Sequence, residues 1–118
     1  MIDFKTTGNP TTDIPELIKS RGDGLTFVEL LQHIPYLKGD CVYGMRDNNI
    51  VYWSGVSEQC IRTLASLVDS GKIRISSTMP LTYFIDGAVP NLPVAKSNRK
   101  YKRPHWAPIT FSLLRKAA

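Results

Sequence analysis

Cysteine and histidine are scarce in this chain, with two of each among 118 residues. Cys41 and Cys60 are too few for a disulfide framework, and neither they nor His33 and His105 stand at metal-ligand spacing. The expectation is that both cysteines pack in the interior, that no metal is bound and that no cofactor is held. Long apolar runs are missing as well. None approaches the ~20 residues that span a bilayer, so no membrane partner is expected. The opening residues MIDFKTTGNP lack a charged stretch followed by an apolar core, which argues against a secretion signal and for the cytoplasm. Catalytic motifs are absent too: there is no G-x-x-x-x-G-K, no H-E-x-x-H and no nucleophile elbow. Asp40, Asp47 and Glu58 have no spacing that argues for paired-carboxylate chemistry, so the chain reads as a non-enzyme.

Acid is the last thing missing, and only from one end. Residues 94–118 hold no Asp or Glu but seven cations: Lys96, Arg99, Lys100, Lys102, Arg103, Arg115 and Lys116. Residues 1–93 hold eight cations against all ten acids. The formal net charge of +5 is therefore a property of the C-terminal segment. Five of these cations crowd into KSNRKYKR, with Tyr101 inside the run and Trp106 just after it. Such a run can track phosphates while a ring stacks on a base. It can equally attract an acidic protein.

What is present is an ordinary globular composition, 42% hydrophobic and 21% charged, of a length that suits one domain over residues 1–118. Residues 1–11 read as a loose arm. In TTDIPELIKSRGDG, Asp13 and Glu16 form a capping pair, Ile14, Leu17 and Ile18 make an apolar stripe, and Gly22 to Gly24 stop the helix. In GLTFVELLQHIP, Thr26 and Glu29 make a capping box, Leu25 staples to Leu30, and Phe27, Leu30, Leu31 and Ile34 recur at helical spacing. CVYGM and IVYW flank the turn-prone RDNN, which predicts a β-hairpin over 41–53. Its aromatic residues, Tyr43, Tyr52 and Trp53, either pack on the helices or offer a protein-binding surface.

The clearest signal is SEQCIRTLASLVDSGKIRI, residues 57–75. Ser57 is a good N-cap. Cys60, Ile61, Leu64, Ala65, Leu67 and Val68 face inward at helical spacing, and Gly71 suits a left-handed stop. Ile73 and Ile75 then alternate with Lys72 and Arg74, and LTYFI (81–85) is expected to return as the antiparallel partner around an SSTMP tip. Asp86-Gly87 marks a turn, and the alternation Ile109, Phe111, Leu113 predicts a C-terminal strand.

These residues carry a resemblance. LTFVELLQHI, followed by SEQCIRTLASLVDSGKIRI and LTYFID, resembles the winged helix-turn-helix domain, most of all in Leu64, Leu67, Gly71 and Ile73 before a hairpin. The resemblance spans residues 13–86 and includes an inserted hairpin where the family has a short turn. It implies an α+β fold: a three-helix core, a β-wing, the inserted β-hairpin and a C-terminal strand, with 87–118 as a basic extension. It also implies a double-stranded DNA-binding protein in transcription regulation, similar to small regulatory or accessory proteins of bacteriophages and prophages. Under it, Gln59, Arg62, Thr63 and Ser66 of the third helix face DNA, Lys72 and Arg74 line the wing, and Lys96, Arg99, Lys100, Lys102 and Arg103 add phosphate contacts. The alternative is a protein-interaction module on the same scaffold, with the aromatic hairpin or the basic segment as its surface. No dimerisation element is evident, although regulators of this family are often dimers.

Overall fold

A computed structural model of the chain describes residues 4–97 and 99–114. The architecture is α+β. The first helix, α1, runs Pro10–Arg21 and begins earlier than its sequence suggests. Asn9 is the N-cap, its side chain accepting from Thr11 N, and Pro10 supplies the first-turn proline. Asp13 is thereby released from capping. It is buried and accepts from Thr7 N and Oγ1, Gly8 N and the Tyr36 hydroxyl, the last at 2.6 Å. The arm at Thr7 and Gly8 is thus tied down by a carboxylate. Burial alone would raise the Asp13 pKa, but the hydrogen bonds from Tyr36, Thr7 and Gly8 outweigh it and hold the group below its ordinary value.

The second helix, α2 (Phe27–His33), starts on the expected cap, with Thr26 Oγ1 accepting from Glu29 N at 3.2 Å. Strands β1 (Lys38–Met45) and β2 (Ile50–Val56) form the expected hairpin, longer at both ends than predicted. Its turn closes through Asn49 in the left-handed region, and a Cβ at Gly44 would collide with the carbonyl oxygen of Ile50. Helix α3 (Glu58–Asp69) is capped by Ser57, whose side chain accepts from Cys60 N. At its far end Gly71 has φ +74°, Gly71 N donates to Val68 O and Lys72 N to Leu67 O, the paired bonds of a Schellman stop. Cys60, Leu64 and Leu67 are buried as expected, Ile61 and Val68 are half-buried, but Ala65 is exposed. Burial pushes the Cys60 thiol up to about 12, which suits a small core residue rather than a nucleophile.

Beyond α3 the expected hairpin is overturned. Strand β3 (Ile73–Ser77) does not pair with residues 81–85, which form a short helix, α4 (Pro80–Ile85). Pro80 at its first position and Gly87 (φ +94°) after its end are helix punctuation. Its one buried residue, Tyr83, has its hydroxyl donating to Ile109 O at 2.6 Å and accepting from Phe27 N at 3.1 Å. Those partners reward a helical turn that places one ring inward. The partner of β3 is instead the C-terminal strand β5 (Ile109–Leu113), antiparallel from Ile73↔Leu113 to Ser77↔Ile109. Leu25 bridges Phe111 on the other edge of β5, leaving Thr110 and Ser112 buried beside the apolar residues. A short strand β4 (His105–Trp106) runs parallel to β2 and completes a three-stranded sheet ordered β1-β2-β4. No helix among the described residues is long and apolar enough to cross a membrane.

One core joins these pieces. Leucines and isoleucines of α1, α2 and α3 meet an aromatic cluster in which Phe27 stacks on Trp53 (5.9 Å) and meets Phe111 edge-on (4.9 Å). Tyr83 in turn packs on Trp53 and Trp106. The hairpin aromatics therefore lie largely against the core. Trp53 joins this cluster and Tyr43 meets Tyr52 edge-on at 5.3 Å, all three rings half-buried.

Candidate nucleic-acid interface

The helix α3 displays Gln59, Arg62 and Ser66 to solvent, as the sequence suggests. Thr63 is not available. It is 8% exposed and faces the interior, because three residues after Cys60 and one before Leu64 is still the buried side of this helix. Arg62 is exposed and pairs with Glu58 one turn earlier at 2.6 Å. An exposed pair of this kind is worth ~0.3–0.5 kcal/mol and breaks readily for a better anion. Lys72 follows the Schellman stop and Arg74 lies on β3, both exposed.

The basic segment is more organised than a solvated run of charge. Tyr101 is its pillar. The phenol oxygen accepts from Lys96 N (3.0 Å) and Ser97 N (3.2 Å) and donates to Ser97 O (3.1 Å), closing the loop upon itself. The Tyr101 backbone fastens to the hairpin turn, with Tyr101 N donating to Asn48 O and Asn49 Nδ2 donating to Tyr101 O. His105 stacks on the ring at 3.9 Å between centroids, and the Arg99 guanidinium lies 4.8 Å from the ring centre. Burial pushes the phenol pKa up, but the Ser97 and Lys96 N–H donors together with Arg99 prevail and bring it down to about 8.

Two expectations change as a result. Tyr101 and Trp106 are 7% and 2% exposed, so neither ring is free to stack on a base. Tyr101 is spent on holding the loop and Trp106 on the core, where it packs on Trp53 and Tyr83. The cations themselves remain outside: Lys96, Arg99, Lys100, Lys102 and Arg103 are all exposed, and none has a salt-bridge partner among the described residues. Arg46 belongs beside them, since it lines the same cleft as Pro104, although Asp47 on the same turn opposes it. The sequence signal for Arg46 is absent because it lies some fifty residues earlier, and only the hairpin turn brings it across.

The helix and the loop lie at opposite ends of the hairpin. Val56 leads directly into Ser57 and α3, whereas Ile50, at the other end of β2, pairs with His105 beside the basic loop. At ~3.3 Å per residue, six residues of strand separate them by about 20 Å. Strand β3 bridges part of that span. It leaves α3 at Lys72, and its residues Ile75 and Ser77 share a cleft with Lys96 and Ser97.

Compared with protein-family models, curated proteins and solved structures, the chain matches none.

Proposed function

We propose that this chain binds double-stranded DNA as a regulatory or accessory factor, anchored by the basic loop 96–103. The observation that carries this reading is the loop's construction. Five exposed cations flank Tyr101, which ties Lys96 and Ser97 to the hairpin turn, in a stretch that contains no acid. A preorganised array loses little side-chain and loop freedom on binding, and each neutralised phosphate releases counterions. The winged-helix reading is supported by three helices packed around the β3–β5 pair, with residues 78–108 inserted between the two strands where a simple wing has a tip.

Within this reading α3 has a secondary role. Gln59 and Arg62 reach base edges and Ser66 a phosphate, while the loop meets the backbone about 20 Å away, roughly half of the 34–36 Å helical repeat. Arg62 must leave Glu58 to do so, which is a small cost against the ~1–3 kcal/mol of a good bidentate base contact. The loop gives affinity and the helix gives preference.

Fluorescence anisotropy on random and selected duplexes tests this division. Arg62→Ala is expected to narrow the gap between selected and random duplex by about five- to a hundredfold while leaving random-duplex affinity nearly unchanged. An intact protein with no duplex binding at low salt removes the reading altogether.

A further inference from the structure

Helix α4 buries Tyr83 and little else. Leu81 is 56% exposed, Phe84 70% and Ile85 74%, and Met79 just before the helix is 66% exposed. The chain that follows folds back toward this face, and the two together line an open, shallow groove of about 430 Å³. Leu81, Phe84, Val89 and Val94 line it together with the buried Trp106. Pro80 and Pro90 stiffen its edges. Contiguous exposed apolar surface of this kind marks an interaction site, and the volume suits a pair of large side chains. Nothing in the DNA-binding reading uses it.

Charge says what should fill it. Val94, which lines the groove, lies two residues from Lys96, so the basic loop begins within about 7 Å of chain from it. The sequence from Gly87 to Leu114 contains no acid, and the carboxylate at the end of α4, Asp86, already accepts from Thr26 Oγ1 at 2.6 Å. An occupant with carboxylates beside its apolar anchors would satisfy both features. A second copy of the chain would not: a two-fold contact across this groove would bring two basic loops together.

We propose that the α4 groove docks an acidic, apolar segment of another protein, its apolar side chains seated between Leu81, Phe84, Val89 and Val94 and its carboxylates on the basic loop. The inference shares the basic loop with the duplex reading but is tested without nucleic acid, so the two fail separately. A random peptide library displayed on phage is selected against the full chain at physiological salt. Enriched peptides are then titrated in solution against wild type, Phe84→Asp, and a variant carrying Lys96→Gln, Arg99→Gln and Lys100→Gln. The expected result is enrichment of peptides with two apolar anchors flanked by Asp or Glu, with affinity falling at least about tenfold in each variant. Phe84→Asp should keep the wild-type melting temperature and circular dichroism, since its ring is mostly in water. Three results overturn the proposal: no enrichment, enrichment without acidic bias, or binding indifferent to Phe84→Asp. Two others replace the occupant and so overturn it as well. One is sedimentation showing a dimer that Phe84→Asp dissociates. The other is binding to vesicles of anionic phospholipid that Phe84→Asp abolishes.

Discussion

Residues 57–77 and residues 78–108 lie side by side in the chain and obey different rules. In the first, the signals that start, stop and follow the helix are local: Ser57 caps, the apolar residues repeat at helical spacing, Gly71 stops and β3 begins, although the partner of β3 is distant. In the second, the decisive contacts come from elsewhere. Tyr83 is held by Phe27 and Ile109, Tyr101 by Asn48 and Asn49, and Trp106 packs on Trp53 and Tyr83. The first region builds the core. The second hangs its chemistry, cations and an apolar groove, on pillars anchored in that core.

The largest expected effect breaks the first region. Leu64→Ala removes a fully buried side chain of α3 and should cost about 2–5 kcal/mol in denaturant unfolding. Random-duplex affinity of the protein that remains folded should be little changed, because in the proposed division the loop gives affinity and α3 only preference. A matching loss of affinity per folded molecule would make α3 the main contact.

Tyr83→Phe acts on the second region and should cost less, about 1–3 kcal/mol. It leaves the buried Phe27 N–H and Ile109 carbonyl without their shared partner while preserving the ring packing. Chemical denaturation checks the size. A neutral substitution would mean that α4 is held by packing alone.

A smaller effect distinguishes the loop's pillar from its cations. With the Tyr101 phenol titrating near 8, rising pH places a negative charge among the five cations. Duplex affinity is expected to fall roughly threefold between pH 7 and pH 9. Tyr101→Phe should remove that dependence while weakening the loop's closure. The stability effect runs the other way. The folded pKa lies below the ordinary 10, so between about 8 and 10 the unfolded chain binds more protons, and wild type gains stability over Tyr101→Phe as pH rises. Parallel pH profiles of the two proteins would remove the phenol from the account.

The same contrast explains what the sequence could and could not disclose. The caps at Thr26 and Ser57, the hairpin, the left-handed Gly71 and the last strand follow from signals within a few residues of one another. LTYFI misleads because its residues favour strands, and the pull toward a helix comes from Tyr83's distant partners together with Pro80. The true partner of β3 lies more than thirty residues on, a pairing that no local pattern encodes. Thr63 was legible in principle, since its place between Cys60 and Leu64 sets it on the buried side. The five cations of the loop were visible as composition, but their fixation by Tyr101, and the company of Arg46, required the hairpin turn.

The central claim is that the preorganised loop, rather than α3, supplies the grip on DNA. Its most direct test is the salt dependence of random-duplex binding, comparing wild type with a chain in which Lys96, Arg99, Lys100, Lys102 and Arg103 are all glutamine. Five phosphate contacts predict a slope of log affinity against log salt of roughly −4 to −5 for wild type, falling close to zero in the variant at unchanged melting temperature. A variant that keeps the wild-type slope would contradict the claim and move the interface to α3 and β3.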